Sequence, residues 1–523
     1  DLHKGAGQIR RLATGGLIDR NAPLSFTFDG VTYQGYAGDT LASALLANGV
    51  GLVGRSFKYH RPRGILSAGV EEPNALVELR TGARREPNTR ATVTELFGGL
   101  HAASQNRWPS LRFDVLSINS VLSPLLSAGF YYKTFMWPSA FWEKVYEPLI
   151  RRAAGLGRAA IEEDPDHYEK AFAFCDLLVI GAGAAGLSAA LSAGRAGLRV
   201  ILCEQDFELG GRLMSEKRLI NGEDARLWIE AALAELRAMP EVRILPRTTV
   251  FGVYDHGVYG ALERVSDHLP EPAPHQARQR AWRIEARRAI LAAGALERPI
   301  VFPGNDRPGV MLAGAVRAYI NRFGVLPGQK AVIYTASDDG WRTVEDLAAA
   351  GAEIVAIVDP RADIAPSFKE RARKVGARLF AGGAVIGTSG RHRITSATLR
   401  DASGAVTDLP CDLLAMSNGW DPTLHLTSHH NTRPRWDENL QAFVPDALPV
   451  GLSVAGAANG RFTLAGALEE GARLGAEIAE AFGRTAKPMS IPATDEEATG
   501  LSPIWRVENG SRNKAFVDFQ NDV

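Results

Sequence analysis

A strand–turn–strand–helix opening, a glycine-turn βαβ unit and a second βαβ unit behind it predict an α/β chain with an α+β part. The first predicts a ferredoxin-like β-grasp N-terminal domain; the other two predict a glutathione-reductase-like pair of dinucleotide-binding Rossmann domains. At 523 residues the chain has room for about three or four domains, and 46% hydrophobic residues can fill their cores. The predicted division is 1–100 (β-grasp), 101–172 (a helical connecting arm), 173–294 with 412–486 (a discontinuous Rossmann domain), 295–411 (a degenerate second one) and 487–523 (a linker toward an absent domain).

In the first domain, residues 25–29 alternate as a strand, Asp29-Gly30 is a hairpin turn and 31–35 is the return strand. Asp39 or Thr40 caps a helix over 41–48, Gly49 stops it, and 74–80 adds a strand. The arm is rich in Trp, Phe and Tyr. Trp137, Phe141, Trp142 and Tyr146 recur at roughly helical spacing, either as a packing face or as a subunit contact. Residues 111–142 are the greasiest stretch. Asp114, Asn119 and Lys133 interrupt it and Pro124 and Pro138 break it, so no membrane span is predicted.

The run Leu177-Leu178-Val179-Ile180-Gly181-Ala182-Gly183-Ala184-Ala185-Gly186 is a buried strand entering a G-x-G-x-x-G turn. Gly181 permits the tight turn, Gly183 lets backbone approach a pyrophosphate, and Gly186 brings helix 187–197 close to the strand. Ala184 and Ala185 open that helix, whose unpaired N–H groups and positive end suit phosphates. Strand 199–203 ends at Glu204 and Gln205, where the Glu204 carboxylate can accept from a ribose diol and repel a 2′-phosphate. NAD or FAD is therefore favoured over NADP. Gly211 and Arg212 lie in a loop that sits beside the pyrophosphate in such proteins. Thr249 and Val250 are on a strand expected to pass the adenine, and Ala293 and Gly294 close the strand where the chain leaves the domain.

The second unit has strand 329–334, helix 341–350, strand 353–358 and a terminal Asp359. Its turn, 335–340, has lost the first glycines and gained Asp338 and Asp339. Two carboxylates beside a phosphate site oppose binding, so this unit reads as structural. The chain then returns through strand 412–416, strand 452–456 and a glycine-spaced helix over 463–482. Flavin binders end the second of these strands in Gly-Asp; here Gly456 is followed by Ala457 and Ala458, which weighs against FAD on this chain.

Zero net charge argues against nucleic-acid or anionic-membrane partners. Cys175, Cys203 and Cys411 stand far apart with no C-x-x-C, as reduced thiols of a cytoplasmic protein do. Residues 1–20 lack an apolar signal-peptide core. Lys58, His60, Arg61 and Arg63 form either a domain-docking face or a phosphate clamp. His425, His429 and His430 read as surface histidines, and no metal is assigned. No Ser-His-Asp set, carboxylate pair or P-loop appears, so no catalytic acid or base is predicted.

Together with residues 17–20 (LIDR) and the nucleotide segment, residues 35–64, reading GYAGDTLASALLANGVGLVGRSFKYHRPRG, resemble the α subunits of heterotetrameric sarcosine oxidases and related N-methyl-amino-acid oxidases. The resemblance runs over essentially the whole chain. It implies NAD on this chain, FMN at the interface with a β subunit, FAD in that β subunit, and small γ and δ subunits. It further implies oxidative demethylation of sarcosine or a related N-methyl amino acid. Iron–sulfur relatives of the first domain carry C-x₄-C-x₂-C after the Arg63-Gly64 position. Here Ser67, Glu72 and Ala75 stand there, which predicts a cluster-free, structural domain. Two other readings remain: a self-sufficient FAD- and NAD(P)H-dependent reductase, and a non-catalytic structural subunit.

Overall fold

The computed structural model describes residues 7–123, 137–153, 155–487, 489–495, 497–508 and 514–523. The chain divides into two units: Asp1–Pro165, Pro299–Asn418 and Ser502–Val523 form one, Asp166–Arg298 and Gly419–Leu501 the other.

The first unit opens with β1 (Asp19–Phe28) and β2 (Val31–Ala37), antiparallel across Asp29 and Gly30, both at positive φ as a tight hairpin turn requires. Helix α1 (Leu41–Ala47) is wholly buried and capped by Thr40 in a capping box with Ser43. Strands β3 (Leu76–Leu79), β4 (Glu86–Arg90) and β5 (His101–Ser104) complete a sheet of order β2-β1-β5-β3-β4, with β1 and β5 parallel. The arm that follows departs from a mostly helical reading. Among the described residues it holds short helical turns at Val115–Ser120, Ser139–Phe141 and Trp142–Tyr146 and one helix, Glu147–Ala153. Trp137 and Phe141 are exposed and form no core face. Pro124 and Lys133, two of the predicted span breakers, lie outside the described residues. No helix among those described is long and apolar enough to cross a membrane.

In the second unit, β6 (Tyr168–Ile180) starts earlier than 173, because its exposed first half still pairs along β11. It is followed by α2 (Ala184–Arg195), β7 (Val200–Cys203), α3 (Ala225–Ala238), β8 (Val242–Leu245), β9 (Thr248–Tyr254), β10 (Val258–Arg264) and β11 (Gln279–Leu291). The order is β8-β7-β6-β11-β10-β9, and β8, β7, β6 and β11 run parallel.

The chain re-enters the first unit for β12 (Val310–Leu312), α4 (Ala313–Asn321), β13 (Lys330–Thr335), α5 (Arg342–Ala349), β14 (Glu353–Asp359), α6 (Pro366–Lys374), β15 (Arg378–Ala381) and β16 (Leu413–Ser417). Their parallel order is β12-β16-β13-β14-β15. This corrects the predicted boundary at 412. Strand β16 is buried between β12 and β13, so the return to the nucleotide sheet comes after Asn418. Strand β17 (Leu452–Val454) then joins β11, and α7 (Leu464–Ala481) packs on α2. Side chains at Gly471 and Gly475 would lie 2.1 Å and 2.4 Å from the carbonyl oxygens of Ala185 and Ala189, so only glycine admits this approach.

The described residues of 487–523 do not form a free linker. Arg218 pairs with Asp495 and Glu497 in the second unit, while Phe516, Phe519 and Asp522 are buried in the first.

Candidate functional site

Strand β6 delivers Gly181 at φ +101°, with its N–H donating to the Cys203 carbonyl at 2.8 Å. A Cβ on Gly181 would sit 2.5 Å from the Ala292 oxygen, and one on Gly186 would sit 1.8 Å from the Gly181 oxygen. Both glycines are thus demanded by the fold itself. Gly183 is different. The nearest atom to its ideal Cβ is the Gly211 Cα at 4.0 Å, so the turn is open on that side. Gly183 is also the N-cap of α2 with no side chain capping it, which leaves first-turn N–H groups, Ala184 and Ala185 included, for an outside acceptor.

Other predicted residues gather at this turn. Gly211, at φ +57°, would place a Cβ 3.0 Å from the Gly183 Cα, and the Gly210 N–H donates to the Ala182 carbonyl. A Cβ on Gly181 would lie 3.4 Å from the Ala293 Cα, and Gly294 follows at positive φ. Gly456, at φ +68°, would bring a Cβ within 2.8 Å of the Ala185 Cβ.

Glu204 is buried and already engaged. Its carboxylate accepts from the Ala182 N–H at 2.7 Å and the Asp206 N–H at 2.9 Å. Burial pushes its carboxyl up to about 7, against the pull of those donors. Each oxygen keeps lone-pair capacity for a further donor such as a ribose hydroxyl.

Four predicted residues sit less directly. Gln205 is exposed, and its carbonyl accepts from Arg264 at 2.7 Å. Strand β9 starts beside Glu204, whose carbonyl accepts the Thr248 N–H, but Thr249 is exposed and Val250 buried, on opposite faces. Arg212 turns toward Glu216, at 2.7 Å from Nε, and its guanidinium lies 3.9 Å over the Trp420 ring.

Trp420 and Glu470 were not anticipated. Glu470 is buried, accepting the Gly456 N–H at 2.7 Å and the Asn459 side-chain amide at 2.7 Å. Among the four glutamates of helix α7 nothing in the sequence marks Glu470 as the buried one.

The degenerate turn needs a corrected reason. Asp339 pairs with Arg317 at 2.7 Å and Asp338 with Arg361 at 2.6 Å, so the two acids are neutralised. Trp341 stands there instead. It is fully buried, stacked 4.9 Å from Phe368, and donates to Asp359 at 2.8 Å. The basic run is likewise an internal clamp. Asp306 lies 2.6 Å from Arg61 and 2.9 Å from Arg63, and Asp522 lies 2.5 Å from Arg63, which removes the phosphate-clamp reading for both arginines. The three cysteines are buried, and burial pushes the Cys175 and Cys411 thiols up to about 12. His429 accepts the Val253 N–H, and no group of metal-ligating side chains forms among the described residues.

The family model described as pyridine nucleotide-disulphide oxidoreductase matches residues 175–436, half of the chain, with the G-x-G-x-x-G turn inside it. The chain belongs to the pyridine nucleotide-disulphide oxidoreductase family. In this member a second model, the 2Fe-2S iron-sulfur cluster binding domain, matches residues 21–107. The ferredoxin-like and Rossmann fold class read from the sequence is therefore borne out. So is the resemblance to sarcosine oxidase α subunits. The chain is 53% identical over 98% of its length to sarcosine oxidase subunit alpha of Rhizobium meliloti (strain 1021), covering 52% of that protein. It is 37% identical over 97% of its length to that of Corynebacterium sp. (strain P-1), covering 49%. The chain thus spans about half the length of the curated relatives it matches. Among solved structures, L-proline dehydrogenase from P. horikoshii shares the fold, with a TM-score of 0.61 and 18% identity over 92% of this chain and 77% of that one.

The nucleotide that the family implies fits this cradle, since Gly183 leaves it open and α2 aims uncapped N–H groups at it. An iron–sulfur cluster does not fit the N-terminal domain, because no cysteine stands before Cys175.

Proposed function

We propose that this chain is the NAD-holding α-type subunit of a multi-flavin, heterotetrameric oxidase. Its reaction is oxidative demethylation of sarcosine or a related N-methyl amino acid, with oxygen as electron acceptor and water hydrolysing the imine, to formaldehyde, the primary amino acid and hydrogen peroxide. The observation that carries the reading is the open side of Gly183 at the uncapped N-terminus of α2. The first-turn N–H groups would take the pyrophosphate, with Gly211, Ala293, Gly294 and Gly456 lining the approach. Glu204 would take a ribose diol, Gln205, Thr249 and Val250 would flank the adenine half, and Arg212 would lend charge near the phosphates. Lack of the flavin-type Asp after Gly456, where Ala457 stands and Glu470 holds the Gly456 N–H, favours NAD over FAD. FAD in a β subunit and FMN between the two chains supply the hydride and electron transfer when bound. Small γ and δ subunits complete the assembly, in the cytoplasm. This chain orients and holds; no acid or base on it is assigned to the reaction.

The test is release of cofactors on denaturation, read by mass spectrometry. The chain alone is expected to release NAD and little flavin. Co-expressed with its β partner, it is expected to yield two flavins and to oxidise sarcosine. Stoichiometric FAD from the lone chain would instead support a self-sufficient reductase.

A further inference from the structure

The segment after Gly64 turns four backbone N–H groups onto one carboxylate. Leu66 and Ser67 donate to one oxygen of Glu72 at 2.9 Å and 2.7 Å; Asn74 and Ala75 donate to the other at 2.8 Å and 3.1 Å. Glu72 is fully buried. Ser67, Glu72 and Ala75 stand at the plant-type cluster spacing, C-x₄-C-x₂-C, inside the stretch matched by the cluster-binding model. The thiolates are gone, yet the loop still points its donors inward. An iron–sulfur cluster in such a loop is an anion whose sulfurs accept hydrogen bonds. Buried N–H groups left without an acceptor would each be costly, so a loop that loses its cluster must find another anion or refold.

We propose that the Glu72 carboxylate is that anion: an internal ligand seated in the donor cradle of the lost cluster, which keeps the ferredoxin-like domain folded with no redox centre. An electron then has no stop in this domain, and the domain serves as scaffold. Removing the side chain should reopen a small carboxylate-binding site whose donors are main-chain atoms.

The experiment uses the whole chain. Glu72→Ala is expected to lower the thermal unfolding midpoint by about 5 °C or more. Acetate should restore it saturably, where chloride at equal ionic strength does not, and acetate should leave the parent unchanged. Glu72→Gln keeps the shape but turns an NH₂ toward two of the donors, so its midpoint should fall as well, and its 64–76 amides should exchange faster by hydrogen-exchange mass spectrometry. That variant decides the matter if Glu72→Ala does not fold. Parental midpoints in both variants would overturn the proposal. So would destabilisation of Glu72→Ala without acetate rescue, or about two irons with inorganic sulfide per parent chain.

Discussion

Gly183 and Gly186 sit three residues apart and do unlike work. A valine at 186 would drive its Cβ into the Gly181 carbonyl, so Gly186→Val is expected to misfold or to lose several kcal/mol in urea unfolding. A valine at 183 meets only the open side of the turn. Gly183→Val should therefore keep a near-parental unfolding midpoint while losing most of its bound dinucleotide, as counted by mass spectrometry of the released cofactor. Full occupancy in that variant would place the site elsewhere. For the NAD proposed above, Glu204→Ala should weaken binding by roughly 1.5–3 kcal/mol, the range for a charge-assisted hydrogen bond. Glu204 also makes stability depend on pH. Its carboxyl is pushed to about 7 in the folded chain, from an ordinary 4.5. Between those values the folded chain holds a proton that the unfolded chain has given up, so this group's contribution falls as pH rises from about 4.5 to about 7 and is level above. Glu72, which burial also pushes to about 7, adds the same trend, and above that pH it stands in its donor cradle as the anion. In Glu204→Gln the plot of unfolding free energy against pH should lose part of its downward slope over that window; an unchanged slope would remove Glu204 as its source. These roles were partly legible. G-x-G-x-x-G announces the turn, but only the distances tell which glycine serves the fold and which leaves room for a ligand.

At the scale of elements, local pattern specified type better than partnership. The apolar run before Gly181, the Asp29-Gly30 turn and the Thr40-capped helix formed as their residues require. Strand β16 was also visible as a strand, yet nothing in its all-buried sequence says which parallel sheet it enters; that is decided by β12 and β13, far away in sequence. The second βαβ unit shows the same limit. Its two acids looked like a charge barrier because Arg317 and Arg361, which neutralise them, are not adjacent to the turn in sequence. The element's integrity rests more on Trp341. Deleting its fully buried indole would lose the stack on Phe368 and the hydrogen bond to Asp359. Trp341→Ala should cost about 3–5 kcal/mol in denaturant unfolding. Nucleotide occupancy at Gly183, in the other unit, should survive in the fraction that stays folded, and a stability within 1 kcal/mol of the parent would show that Trp341 does not hold the unit (a smaller loss than about 1 kcal/mol is ordinary for surface sites).

Across the whole molecule, long-range pairs fix what the sequence left open. Lys58 to Arg63 allowed two readings because their partners are distant: Asp522 lies 459 residues beyond Arg63. In the folded chain the Asp522 carboxylate accepts from the Lys58 and Tyr59 N–H groups at 2.8 Å and 3.0 Å and from Arg63, while the Arg63 guanidinium lies 4.8 Å from the Phe516 ring centroid. Arg63 is fully buried, and Asp306 and Asp522 together compensate its charge. Asp522→Ala would leave a buried cation with one carboxylate and two main-chain donors without their acceptor. Loss of one partner in such a pair costs about 3–5 kcal/mol, and the damage should be local at first. Limited proteolysis is expected to cut near 58–63 and 514–523 before it cuts the glycine cradle, and the unfolding midpoint should drop. Asp522→Asn, which can still accept from the two N–H groups, should recover part of the loss. If both variants resist protease as the parent does, the closing segment is a passenger on the ferredoxin-like domain and Asp306 suffices to hold Arg61 and Arg63.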